Sequence, residues 1–305
     1  MLIPLFLTFF INNSHARELY QLGNLSWIPR RNEFVHAFQY SKVSGKKKMV
    51  DALFMSNTNK VEATDYRWNL QYGLTNRLRI GLLQNGSFSS LSNDENGNKT
   101  SSNGHNTPQL MTFYRVLEQY PAFINIDLFF KYTPDFGKAQ LGTRSNYKSG
   151  GEIYTFGTYL SYYNPKWEVV ILNEVNFLQQ KTIALNTGSN PAFEGNVSPY
   201  NIITSEITGS YQLTNKWFSI LSFKIDHQRP VETTLIAGPT KIKKTKQTQI
   251  LSSLGIRYEY DNYNFTLFAA RSSGTNSDLY TNDVFTESEQ DNTFDAYIFE
   301  FKQLF

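Results

Sequence analysis

"FDAYIFEFKQLF", from Phe294 to Phe305, puts Tyr297, Phe299, Phe301 and Phe305 on one parity and Ala296, Glu300 and Lys302 on the other. A period of two is the pattern of a half-buried strand. In a soluble sheet the aromatic stripe would lie on a core and the polar residues would meet water. In an outer-membrane barrel the stripe faces lipid and the polar residues face a lumen. The rest of the chain decides between the two.

The same alternation recurs along the sequence, in Phe34–Tyr40, Tyr66–Tyr72, Leu78–Leu82, Leu110–Val116, Ile124–Tyr132, Tyr154–Tyr162, Trp167–Phe177, Ile203–Tyr211, Trp217–Ile225, Ile250–Tyr260 and Tyr263–Ala269. With the closing stretch this makes about twelve strands, an even number as single-chain bacterial barrels require. Connections alternate in length. Thr75-Asn76, Glu118–Pro121, Asn164–Lys166, Thr214–Lys216 and Asp261-Asn262 are short and rich in turn residues. Those near 42–60, 86–107, 133–150, 179–199, 229–246 and 273–291 run to about 15–20 residues, long for a compact soluble domain. Short turns at one end and long loops at the other are the asymmetry of a membrane barrel. The fold class expected is all-β, a transmembrane antiparallel up-and-down barrel with both termini on the short-turn, periplasmic side.

Composition agrees. Among 305 residues there are 24 Phe and 19 Tyr, and no Cys, which excludes disulfides and thiolate metal sites. The net charge of +3 is too small to argue for nucleic acid. Residues Leu2–Ile11 are apolar, and Ser14-His15-Ala16 supplies small residues where an export signal is cleaved. The expected organisation is a signal peptide over 1–16, a periplasmic lead-in over 17–31 and the barrel over 32–305, exported to the outer membrane of a Gram-negative cell.

"YGLTNRLRIGL", Tyr72 to Leu82, resembles a hairpin found in a broad family of Gram-negative outer-membrane barrels, among them meta-pathway phenol-degradation proteins and transporters. "YQLTNKW", Tyr211 to Trp217, repeats it more loosely. The final strand ending on Phe305 resembles the signal read by the barrel-assembly machinery, with Gln303 where an aromatic is more usual. The resemblance implies passive uptake of small, hydrophobic or aromatic solutes.

Parity assigns the lumen. Arg67, Asn69, Arg79, Arg115, Asp127 and Lys131 are expected inside. So are Glu152, Glu168, Glu174, Glu206, Lys224 and Asp226, and then Arg257, Glu259, Glu300 and Lys302. Acids and bases are nearly balanced, so pairing across a narrow bore is expected, with low conductance and weak charge selectivity. On the outer face, Trp68, Tyr72, Tyr162, Trp167, Tyr211, Trp217, Tyr258, Tyr260 and Phe305 are expected at the membrane interface, where amphipathic rings are favoured.

Two other functions stay open. A barrel enzyme acting on lipid or lipopolysaccharide would need a nucleophile beside a base, and its best candidate is His227 with Thr248 or Ser252. A structural or adhesive barrel would bind a partner through its loops. The clusters Lys46-Lys47-Lys48 and Lys241, Lys243, Lys244 and Lys246 are suited either to lipopolysaccharide phosphates or to simple solvation. The loop Ser92–Thr107 carries only Asp94 and Glu95, short of a calcium loop, so neither metal nor cofactor is expected. Residues Lys48–Ser56 are apolar for a loop and either fold inward or lengthen a hairpin. This topology is checked by labelling intact cells: tags at Ser101 and Thr187 should react and a tag at Asn262 should not. Reaction at Asn262 alone would invert the barrel.

Overall fold

The computed structural model describes residues 29, 31–51, 53, 56–93, 99–105, 107–118, 124–135, 139–142, 151–164, 166–186, 193–236 and 240–305. The expected signal peptide, nearly all of the lead-in, the turn at Pro121, Asp94 with Glu95, and Thr187 lie outside these residues. Nineteen strands occur among the described residues. They begin β1 (Phe34–Asp51), β2 (Ser56–Gly73), β3 (Leu78–Asn93), β4 (Lys99–His105), β5 (Gln109–Leu117), β6 (Asn125–Thr133) and β7 (Ala139–Gly142). Next come β8 (Ile153–Tyr163), β9 (Trp167–Leu178), β10 (Lys181–Asn186), β11 (Phe193–Val197), β12 (Tyr200–Gln212) and β13 (Trp217–Gln228). The last are β14 (Val231–Leu235), β15 (Lys241–Lys244), β16 (Gln247–Tyr260), β17 (Tyr263–Gly274), β18 (Ser277–Thr281) and β19 (Val284–Leu304).

Twelve of these strands form a closed antiparallel ring in the order β1, β2, β3, β5, β6, β8, β9, β12, β13, β16, β17, β19. The ring shuts between β19 and β1, where Val35 faces Leu304 and Phe38 faces Phe301. At the rim the Phe34 amide donates to the Phe305 carbonyl at 3.1 Å, the Phe305 amide returns the bond at 2.8 Å, and the two rings lie 6.0 Å apart. Closure leaves no free edge in the wall, which a membrane requires because lipid offers backbone groups no partner.

The two faces of the wall divide by parity. Val35, Ala37 and Leu304 are buried inside, while Leu110, Leu221, Leu254, Leu267 and Tyr297 stand more than half exposed on the outside. So much apolar surface turned outward suits lipid, not water.

The short turns share one device. Thr75 Oγ1 accepts from the amides of Arg77 and Leu78 at 3.1 and 2.9 Å. Asn164 Oδ1 does the same for Lys166 and Trp167 at 2.9 and 3.0 Å. Thr214 Oγ1 serves Lys216 and Trp217 at 3.4 and 3.2 Å. These side chains replace water on amides that a tight reversal leaves unpaired. At Asp261 the reversal needs φ of 49°, which a short polar side chain tolerates. Before β1, Arg31 bridges Gly73 in parallel, so the chain enters along the β2–β3 turn.

At the other end, much of the long connections is itself β-structure. β1 and β2 stay paired as far as Val50 with Ser56, so the described part of Lys48–Ser56 lengthens the hairpin. β4 returns along β3. β10, β11, β14, β15 and β18 continue a sheet that ends on β19, with β7 parallel to β10. Strands in these segments, such as Lys99–His105 along β3, go on exchanging backbone bonds beyond the ring.

Inside the wall, Gly157 on β8 faces Phe129 on β6. A Cβ at Gly157 would run into the Phe129 ring and the Asn173 carbonyl. Here glycine makes a recess for a ring. Gly157→Ala should therefore lower the barrel's stability by about 1–3 kcal/mol. Adding Phe129→Leu should recover only part of the loss, since the Asn173 carbonyl remains. Urea unfolding of the refolded barrel measures both, and an unchanged Gly157→Ala midpoint would place the ring elsewhere.

Candidate functional site in the lumen

Inward parity brings two unlike walls face to face. On β3, β5, β6, β8 and β9 the inward side chains Leu83, Met111, Phe113 and Phe129 form a buried apolar cluster, with Tyr159 and Leu172 packed against it. Phe113 and Phe129 are 5.5 Å apart by ring centroid, and Phe129 and Tyr159 5.0 Å. Two cations lie over these rings: the Arg79 guanidinium 4.4 Å from the centroid of Phe113, and the Lys131 ammonium 4.7 Å from that of Phe129. Both distances fall within the range of cation–π attraction. On β1, β2 and β19 the opposite wall presents Gln39, Arg67, Asn69, Gln71, Glu300 and Lys302, with Val35 and Ala37 toward the short-turn rim. Between the walls is a cavity of about 200 Å³, also bordered by Asp127 and Lys131.

Most of the inward charges are matched. Arg115 grips Asp127 with two parallel bonds of 2.8 Å, and Asp127 is 2% exposed. Lys131 on β6 reaches Glu174 on β9 at 2.7 Å, across β8. Asn176 also donates to Glu174, at 3.3 Å. Arg257 pairs with Glu259 at 2.8 Å and approaches Glu168 at 4.0 Å, with its guanidinium 4.7 Å from the Phe218 ring centroid. Lys224 pairs with Asp226 at 2.8 Å and Lys302 with Glu300 at 3.1 Å. Glu206 accepts from Thr208 and Ser222, both at 3.0 Å. Pairing thus runs mostly along the wall, between neighbours on one strand or on nearby strands, and only the Arg257–Glu168 approach, from β16 to β9 past β12 and β13, spans further among the described residues. A charge in a low-dielectric wall is stabilised by the nearest partner, and side chains two residues or one strand apart are nearest.

Arg67 and Arg79 stand apart. Arg67 Nε donates to Asn85 at 3.2 Å. Arg79 is 6% exposed, and its Nε and Nη1 find no hydrogen-bond partner among the described residues.

Glu152 is a correction to the expected lumen set. It shares parity with Tyr154, and its carboxylate accepts from Tyr154 at 2.8 Å and from Tyr132 at 3.0 Å, so it lies on the outer face with those rings. The inward apolar residues were missing from that set, which was drawn from polar positions. The signal for them is present in Met111–Tyr114 and Leu128–Phe130, where both parities are largely apolar, as in a strand buried on both faces.

On the outer face, Tyr162 packs on Trp167 at 4.7 Å and Trp217 on Tyr258 at 4.9 Å, beside the short turns. Tyr72 donates to Asn32 at 3.1 Å. Tyr211 and Tyr260 are exposed outward. Trp68 is four residues before Tyr72 on the same face, 5.9 Å from the His36 ring. Gln303, a departure from the usual aromatic, donates to the Tyr263 hydroxyl at 3.0 Å. His227 and Thr248 meet across β13 and β16 with Nδ1 2.9 Å from Oγ1, while Ser252 lies four residues further along β16.

No sequence family and no curated protein sequence matches the chain. Among solved structures, it is similar to an outer membrane channel from Pseudomonas putida F1, with a TM-score of 0.54 at 11% identity over 91% of this chain and 97% of that one. Weaker likenesses include the outer membrane protease OmpT of Escherichia coli (TM-score 0.38, 12% identity, 90% and 97% covered) and a FadL homologue of Pseudomonas aeruginosa (0.42, 8%, 93% and 92%). At these identities the likeness is one of fold. The fold is that of the Gram-negative outer-membrane β-barrels, with short periplasmic turns and long extracellular connections.

Asp127→Ala should strand Arg115 and destabilise the barrel by about 3–5 kcal/mol. The double variant Asp127→Leu with Arg115→Leu should recover most of that loss. Unfolding midpoints in urea report both, and a neutral Asp127→Ala would show that water already carries the Arg115 charge.

Proposed function

We propose that the barrel is a narrow outer-membrane channel through which small solutes pass passively. The observation that carries this reading is the cavity inside the ring. A barrel serving only as an anchor gains nothing from space there, and its inward charges would be matched throughout. Here the space is bordered by two arginines beyond the matched pairs, Arg67 and Arg79, and by a row of rings. Such a bore favours a solute with both an apolar and a polar part. Residues 1–16 direct export in this reading, β19 is the strand read during assembly, and the exposed Lys241 and Lys243 above the membrane meet lipopolysaccharide phosphates.

Planar-bilayer recording tests the channel. The folded, heat-modifiable protein should give small, steady conductance steps. Replacing Arg67 and Arg79 together with Ala should enlarge the steps and move the reversal potential toward cations. Folded protein that inserts but gives no steps would exclude the channel, and an unchanged reversal potential in the double variant would remove both arginines from the bore.

A further inference from the structure

We propose that the lumen cavity is a binding site for a small amphipathic anion, a monocarboxylate on an aromatic ring, with Arg79 as its anchor. This deepens the channel reading and rests on it for its purpose.

The sign of the charge follows from which groups along the cavity are already engaged. Both oxygens of Asp127 are held by Arg115. Glu300 is held by Lys302, and Lys131 is held by Glu174. What remains is cationic: Arg67, bonded through Nε to a neutral amide, and Arg79. Of the two, Arg79 is the buried one, with two donors unsatisfied. Burying a guanidinium that way is costly. Arg115 avoids that cost through two bonds to Asp127 of β6, and Arg257, whose Nε and Nη1 also lack hydrogen bonds, offsets it with ion pairs to Glu259 and Glu168; among the described residues no ion pair does the same for Arg79. A carboxylate in the cavity that Arg79 lines would bring the missing charge beside the guanidinium.

The apolar half follows from what surrounds Arg79. Its guanidinium lies over Phe113, next to Leu83, Met111 and Tyr159 on the same wall. Such a surface rewards a ligand that buries a ring beside its charge. Size sets the rest. A cavity of about 150 Å³ suffices for benzene, so the roughly 200 Å³ here holds one ring with a small charged substituent and is too small for an extended lipid anion.

The test is equilibrium binding to the full-length protein refolded in detergent, followed by calorimetry with benzoate, benzyl alcohol and acetate. Benzoate should bind at least about tenfold more tightly than benzyl alcohol, which lacks the charge, and than acetate, which lacks the ring. Tenfold corresponds to about 1.4 kcal/mol, the low end for a charge-assisted bond. Arg79→Gln should bring benzoate down to the level of benzyl alcohol. Arg79→Lys should recover part of the preference, since it keeps the charge and loses the fork. Phe113→Ala should weaken benzoate and benzyl alcohol together, and Arg229→Gln, in the exposed segment after β13, should change neither. Equal binding of benzoate and benzyl alcohol by the unaltered protein overturns the proposal, and so does an Arg79→Gln variant that keeps the preference. The first comparison needs no variant to fold. A barrel that conducts without preferring benzoate sinks the site and spares the channel, whereas one that binds benzoate and does not conduct does the reverse.

Discussion

A chain in lipid must satisfy its own backbone, because hydrocarbon supplies neither donor nor acceptor. Everything else in this structure follows from that. Twelve strands meet the demand only as a ring, and the ring exists only because β19 finds β1. The reciprocal bonds between Phe34 and Phe305 set the register there, since a slip of one residue would turn every side chain of a strand to the wrong face. Once closure fixes the faces, the apolar parity is committed to lipid and the other to a confined interior.

That interior is solved in two ways at once. Around β12, β13 and β16 charges neutralise one another locally, as at Lys224–Asp226 and Arg257–Glu259. Around β5, β6 and β8 rings fill the space, and glycine at 157 sinks one of them into the wall. Arg79 sits where the two solutions meet, on an aromatic face and beyond the reach of a fixed acid bond. A bore of this kind is neither a water-filled hole nor a sealed core. It sets a ring-lined wall, as in a ligand pocket, beside a wall of polar and charged side chains.

Much of this could be read before any coordinates. Alternation located the twelve ring strands, and the unequal spacing of turn residues gave the orientation. On the parity expected to face inward, Asp127 pairs with Arg115, Lys131 with Glu174 and Arg257 with Glu259. Glu152 escaped because it precedes the regular part of β8, where parity has to be counted through a strand end. The strands of the long connections escaped for another reason: polar runs such as Lys99–His105 and Lys241–Lys244 carry no apolar period in the sequence, so they read as loops. The inward rings were hidden because Met111–Tyr114 and Leu128–Phe130 are largely apolar on both parities, so no polar residue marks the inward face there. Which acid meets which base is a matter of register and reach, as Lys131 crossing β8 shows, and no single-strand pattern contains it.

The capped turns also bear on time. Thr75, Asn164 and Thr214 bond to amides two and three residues away, so these reversals need no neighbour, no membrane and no other strand. The pairing of Val35 with Leu304 is the opposite case, a contact between the two ends of the barrel domain. Loop-closure entropy delays contacts of such separation. Hairpins therefore come first and the seam comes last, and until it forms two bare strand edges travel with the chain. Unpaired edges can pair wrongly in that interval, so the seam's lateness makes assembly, more than the finished barrel, the vulnerable stage of this molecule's life.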